Sequence, residues 1–299
     1  PEGLPAVVTI TLALGVNRLA KHKAIVRKLA SVETLGCTNV ICSDKTGTLT
    51  KNEMTVSRLY VNGKTIDVTG AGYTPEGEFL QNGAKLDPKD DDDITLLLRI
   101  GSLCSNAKLE KGGEEWQILG DPTEGALVVV AAKAGLWQDK LQSEYPRVME
   151  IPFDSMRKRM TTVHNAPNGE VAYAKGAPEV ILERCDRVHE NNHVRKLTDS
   201  DRKRILDMAQ QMAGDALRLL AMAYKELPSS QSCEPDQVES NLVFVGIEGM
   251  IDPPREEVPK AIQTCRRAGI KAVMITGDHK LTAMAVAEQI GMLHSEESK

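Results

Sequence analysis

Asp44 is preceded by the β-prone run Asn-Val-Ile-Cys at 39–42 and Ser43, and followed by Lys-Thr-Gly-Thr-Leu-Thr at 45–50. A carboxylate at the carboxyl end of a buried strand, beside a tight loop whose N–H groups and hydroxyls can turn inward, suits phosphoryl transfer with Asp44 as nucleophile. Attack on a terminal phosphoryl group requires its negative charge to be neutralised. Mg²⁺ between Asp44 and the phosphate, with Thr46 helping to hold both and Lys45 alongside, meets that need. A lone aspartate at such a place is an ordinary cap or turn former; the whole string at 44–50 is what favours chemistry.

A second apolar run, 270–276, leads into Gly277 and Asp278. If both runs are strands of one parallel sheet, their loops converge on one phosphate, with Thr276 and Gly277 donating and Asp278 close to the metal. The plainer alternative is a strand-to-helix turn. Lys175-Gly176 pairs a point charge with a residue that lets a ligand approach closely. Glu2, between Pro1 and Gly3 at the edge of an apolar segment, is a carboxylate of the kind that has a function when it lies in a membrane. Alone it makes no cation site, because hard cations take six or more oxygens. Asp252-Pro-Pro-Arg255 reads as a stiff connection without chemistry of its own.

The elements that must position these groups follow from pattern. The 299 residues are enough for roughly two domains. Aromatic residues are only 3%, and 37 basic against 42 acidic residues give a net charge of −5, so neither base stacking nor a basic face for nucleic acid is expected. The six cysteines contain no Cys-x-x-Cys pair and read as reduced thiols. Residues 3–16 form an apolar stretch short of a full membrane span and unlike a signal peptide, and a basic segment follows at 17–28. With its abrupt start, the chain reads as a fragment carrying the end of a transmembrane helix.

Further on, 60–66 predicts a hairpin, 94–103 and 125–134 helices, 171–175 a strand and 178–184 a helix. Helix is also expected at 201–213, with Ile205, Met208 and Met212 on one face, and strand at 217–224. The acidic run 90–93 reads as a solvated loop and helix N-terminus, not a calcium site. Strand at 242–247, helix at 253–268, strand at 270–276 and helix at 281–290 then follow the grammar of a doubly wound parallel sheet. The middle of the chain is an α+β insertion into that sheet.

The string at 44–50 closely resembles the phosphorylation motif of P-type ion-transporting ATPases. The resemblance runs through Pro-Glu-Gly-Leu-Pro at 1–5, Asp-Pro-Thr-Glu at 121–124, Lys-Gly-Ala-Pro-Glu at 175–179, Asp-Pro-Pro-Arg at 252–255 and Thr-Gly-Asp at 276–278. Within the family it looks most like the calcium pumps of the sarcoplasmic-reticulum and secretory-pathway type, in a bacterial-looking form.

That resemblance implies a split, haloacid-dehalogenase-like phosphorylation domain of Rossmann type, interrupted by an inserted α+β nucleotide-binding domain. The expected boundaries are a helix stub at 1–20, phosphorylation domain at 21–51 and 252–299, and insertion at 52–251. It implies that Phe153 stacks on adenine, Lys158 and Lys175 neutralise the nucleotide, Glu124 bonds near the base and Arg218 reaches the phosphates. ATP and Mg²⁺ are the implied cofactors, Ca²⁺ the transported ion with Glu2 as a ligand, and the rest of a membrane pump the partner, with this region cytoplasmic. Many animal calcium pumps carry Arg two positions after the stacking Phe, where this chain has Ser155 and only later Arg157.

The family's later Gly-Asp-Gly-x-Asn-Asp-x-Pro loop is missing here, so the chain alone is expected to bind ATP but barely to phosphorylate itself. Two other readings are a soluble haloacid-dehalogenase-type phosphatase and a nucleotide-binding module without catalysis. The first usually needs an acid two positions after the nucleophile, where Thr46 stands.

Overall fold

A computed structural model describes residues 3–113, 115–227, 234–277 and 280–293. It opens with helices α1 (Leu4–Lys21) and α2 (Ala30–Gly36). The apolar run expected at 3–16 continues as helix to Lys21, with Arg18 and Lys21 in the last turn, where cations complement the helix dipole. None of its residues is buried, and by length and composition (mean hydropathy 1.2) α1 is long and apolar enough to cross a membrane.

Strand β1 (Val40–Asp44) follows, then the hairpin β2 (Thr55–Val61) and β3 (Lys64–Val68), β4 (Phe79–Gln81) and β5 (Ala84–Leu86). Asn62 and Gly63, both at positive φ, make the two-residue turn that the sequence signals. Next come α3 (Asp92–Leu103), β6 (Lys108–Gly112), β7 (Glu115–Leu119), α4 (Pro122–Lys133) and α5 (Gln138–Glu144). Strands β8 (Arg147–Asp154), β9 (Arg159–Ala166) and β10 (Gly169–Gly176) precede α6 (Pro178–Glu183), β11 (Cys185–Glu190), β12 (His193–Lys196) and α7 (Asp199–Gly214). The chain continues through β13 (Arg218–Leu227), α8 (Pro235–Val238), β14 (Leu242–Ile251), α9 (Val258–Arg267), β15 (Lys271–Ile275) and α10 (Lys280–Gln289).

Most strands join one eleven-stranded sheet in the order β5-β4-β3-β2-β14-β13-β10-β9-β8, with β11 pairing to β14 and β12. Its pairings are antiparallel except β11 with β14. Leu59, Leu97, Leu127, Met160, Tyr173 and Met222 belong to a core beneath α3, α4 and α5; Ile181, Ile205, Met212, Phe244 and Ile247 form a second core with α6 and α7. The sheet is therefore covered on both faces. Its central strand β14 is buried from Leu242 to Met250, which is why 242–247 reads as an apolar run without alternation.

That run accounts for the main departure from the sequence reading. The strand expected at 242–247 reaches Ile251 and lies between β2 and β13 in the large antiparallel sheet, not in a parallel sheet with β1. β1 pairs in parallel with β15 instead, in a separate two-stranded sheet. The helix expected at 253–268 starts at Val258, because the residues around Pro254 form a bridge to Thr50 instead.

In the acidic run, Asp91 caps α3 by accepting from the amides of Asp93 and Ile94, as a helix N-terminus requires. Asp93 itself is buried and accepts from the amides of Asn191 and Asn192, so that part of the run is a tertiary anchor and not solvated.

Candidate functional site

Asp44 ends β1 with extended backbone and an exposed side chain. The chain then turns sharply through Gly47, whose φ of +76° is readily adopted only by glycine. Thr50 N donates to Lys45 O at 3.0 Å, and Gly47 N donates to Thr50 Oγ1 at 3.3 Å, closing the loop on itself. Lys45 is buried and Thr46 exposed. Beside it, β15 runs parallel with Ile275 in register with Asp44, so Thr276 and Gly277 leave their strand next to the loop that begins after Asp44. Asp278 and Glu2 lie outside the described residues.

The stretch 252–255, read from sequence as a stiff connection, also fastens this loop. Asp252 is buried, with Oδ2 2.5 Å from Thr50 Oγ1 and Oδ1 accepting from Glu53 N at 3.2 Å. Lys51 N donates to Pro253 O, Arg255 N to Leu49 O, and Arg255 Nη2 to Gly47 O at 3.0 Å. The two chain crossings between the sheets are thereby stitched to each other and to the turn after Asp44.

At one end of the large sheet, three strands bring together the residues expected to meet a nucleotide. Lys175 and Gly176 close β10, in register with Met160 and Arg159 of β9, while Arg159 also pairs with Asp154 of β8. Phe153 is 60% exposed, so it is not the core residue a phenylalanine usually is. Lys158 is exposed at φ +51°. Gly176 has no room for a side chain: a Cβ there would fall 2.5 Å from Lys158 O.

Glu124 stands in the first turn of α4, which Asp121 caps through the amides of Thr123 and Glu124. Buried Lys175 donates to Glu124 Oε1 at 2.7 Å and to Ser105 Oγ at 3.0 Å, while Glu124 Oε2 accepts from the amides of Asn106 and Ala107. Arg218 is exposed at the start of β13, three residues before Ala221, which is paired with Gly176. It shares a cavity of about 240 Å³ with Lys45, Asp252 and Thr282, bounded by the large sheet, the loop after Asp44 and α10. A larger cavity of about 570 Å³, bordered by Arg99, Tyr145 and Tyr224, contains none of the residues singled out from the sequence.

The profile of the family described as P-type ATPase, cytoplasmic domain N, matches residues 93–257. This chain belongs to the P-type ATPase family. It is 44% identical over 294 residues to the calcium-transporting ATPase of Bacillus subtilis and 46% identical over 298 residues to the cation-transporting ATPase pma1 of Synechocystis; each alignment covers 98% of this chain and 33% of the relative. It is 41% identical over 297 residues to the calcium-transporting ATPase type 2C member 1 of Bos taurus, covering 98% of this chain and 29% of that protein. The chain thus spans about one third of the length of these P-type ATPases.

Sequence reasoning missed two sets of residues around this site. The Thr50–Asp252 contact joins positions 202 apart, a separation no local pattern reveals. Glu239, one of three acids in the polar stretch 234–239, is 1% exposed in its side chain and binds both arginines that flank Lys158. Among the described residues no cluster of three or more His, Cys, Asp or Glu has metal-site geometry, and the five described cysteines are unpaired.

Proposed function

We propose that this chain is the ATP-binding and phosphorylated region of a cation pump that moves Ca²⁺ across a membrane through an aspartyl-phosphate. In this reading the large sheet is the nucleotide domain, inserted at 52–251 into a haloacid-dehalogenase-like phosphorylation domain built from 21–51 and 252–299. The stretch 1–20 is the end of a transmembrane helix, Glu2 contributes to the ion path, and the remainder of the region is cytoplasmic. The observation that carries the reading is the register of Asp44 with Ile275, which sets Thr276 and Gly277 beside the loop that follows the nucleophile.

ATP lies against Phe153 and is neutralised by Lys158 and Lys175, with Gly176 allowing close approach. Glu124 orients Lys175 through their 2.7 Å contact. Arg218 and Lys45, on a common cavity, supply positive charge along the route from the base to Asp44. An Asp44 oxygen attacks the γ-phosphorus, the bond to the β–γ bridging oxygen breaks, ADP leaves, and an acyl phosphate remains. Oxygen donors from Asp44 and Thr46 suit Mg²⁺, which supplies charge neutralisation when bound. Thr276 and Gly277 donate to the transferred phosphoryl group, with Asp278 close by.

The test is acid-stable labelling of the full-length protein with γ-labelled ATP. Labelling that appears with Ca²⁺ and is abolished by Asp44→Asn is expected; full ATPase activity in that variant overturns the proposal. A phosphatase would instead hydrolyse phosphomonoesters without retaining label, and a pure nucleotide module would bind ATP without turnover.

A further inference from the structure

Lys158 occupies the left-handed backbone region at φ +51°, which is unfavourable for a residue that carries a Cβ. Such a conformation persists where its surroundings over-determine it. Its own neighbours supply part of the restraint: Asp154 O accepts from Lys158 N at 2.7 Å, and Ala177 N donates to Lys158 O at 3.1 Å. The side chains on either side are held by one group. Glu239 accepts from Arg157 Nη1 at 2.8 Å on each oxygen, from Arg159 Nε at 2.6 Å and from Thr161 Oγ1 at 3.0 Å.

We infer that Glu239 is a positioning residue for nucleotide binding, setting the β8–β9 turn so that Phe153 and Lys158 present a fixed platform to the adenine base and phosphates. It acts from behind the sheet. Arg159, Gly176 and Ala221 are in register, as are Met160, Lys175 and Met222, so Arg159 and Lys175 point to opposite faces. Lys175 faces α4; Val238, next to Glu239, packs with Ile151, Val163 and Ala172 on the other side. Glu239 therefore reaches the site only through the turn.

The anchor itself is stiff. The segment carrying Glu239 is tied to β13 by Lys225, which donates to Gln237 O and Ser240 O, and to β11 by Arg187, which donates to Asn241 O. It then runs directly into β14, the central strand of the sheet. Burying a carboxylate with two guanidinium groups adds little net stability over an apolar core, but it fixes geometry strongly. A rigid aromatic platform is where fixed geometry matters, because stacking is lost when the ring is displaced.

This inference rests on the nucleotide reading above, and the experiment separates the two. In the full-length protein, KM for ATP and kcat are measured for Glu239→Gln, Arg157→Gln, Phe153→Ala and Lys158→Ala, with amide exchange followed at Met156 and Arg157. Arg157→Gln keeps Glu239 paired with Arg159, and decides the matter if Glu239→Gln does not fold. Both positioning variants are expected to raise KM about tenfold with little change in kcat, and to speed exchange at the turn amides. A fall in kcat at constant KM, or turn amides that exchange as in the parent, overturns the inference. If Phe153→Ala and Lys158→Ala raise KM while the other two do not, the positioning role alone fails; if those two leave KM unaltered, the nucleotide reading fails with it.

Discussion

Lys175 and Glu124 form a buried ion pair, Nζ lying 2.7 Å from Oε1, with side chains only 6% and 14% exposed. Removing one partner strands the other charge in a low-dielectric setting, which is far costlier than removing both. Glu124→Gln is expected to lower the unfolding free energy by about 3 kcal/mol, since Lys175 then keeps only neutral partners. The double variant Lys175→Met with Glu124→Leu is expected to recover most of that loss while abolishing ATP binding. Urea unfolding and calorimetric ATP titration check both. A double variant as unstable as Glu124→Gln would show that the pair is more than mutual compensation.

The Thr50–Asp252 contact gives a second prediction. Thr50→Val preserves shape but leaves a buried carboxylate without its hydroxyl partner, a loss of about 1–2 kcal/mol. The loss is local. Amides of Lys51 and Arg255, which bond across the two chain crossings, are expected to exchange faster, while those of β14 keep their protection. Uniform acceleration across the sheet would mean that the contact supports the whole fold and not the turn after Asp44.

What the sequence made legible is local in character. The strand before Asp44, the Asn62-Gly63 hairpin and the helices at 94–103 and 125–134 are written in periodicity and turn residues, and each formed within a few positions of its expected bounds. The parallel neighbourhood of Asp44 and Ile275 was legible because both strands end in loops rich in Thr, Gly and Asp. Strand β14 was misplaced because an apolar run buried on both faces looks alike in a parallel sheet and in the centre of an antiparallel one. The Glu239 cluster was illegible for another reason: its partners come from a distant hairpin, and a single acid carries no periodic signal.

Gly176 yields a prediction about close packing. A Cβ at this position would lie 2.5 Å from Lys158 O and 2.8 Å from Arg159 Cβ, so a flexible side chain cannot simply swing away. Gly176→Ala must move β9 against β10 at the end that carries Lys158 and Lys175. The expected cost is about 2 kcal/mol of stability, with weaker ATP binding. Gly214→Ala, at a helix end where a Cβ meets nothing within 4 Å, serves as the control and is expected to be neutral or slightly stabilising. Parent-like stability and ATP affinity in Gly176→Ala would sink the argument.

Glu248 gives a pH dependence whose sign follows from its surroundings. It is fully buried on β14, neither of its oxygens meets a hydrogen-bond donor, and Gly101 of α3 packs against Oε1. Burial raises its pKa well above the ordinary value of 4.5, and the more distant Lys175 charge offsets this only in part. The folded chain therefore holds a proton that the unfolded chain releases, so this group costs stability increasingly as pH rises from 4.5 toward its folded pKa. His164 acts in the opposite sense: burial lowers it from 6.5 to about 4, so its contribution is lost as pH falls through that interval. Because His164 is present in both proteins, its effect cancels when Glu248→Met is compared with the parent. The variant is expected to gain about 1–3 kcal/mol over the parent near pH 8 and less near pH 5, read from urea midpoints across that range. A gain that does not vary with pH would show that Glu248 holds the same protons folded and unfolded, and that its burial is relieved by solvent.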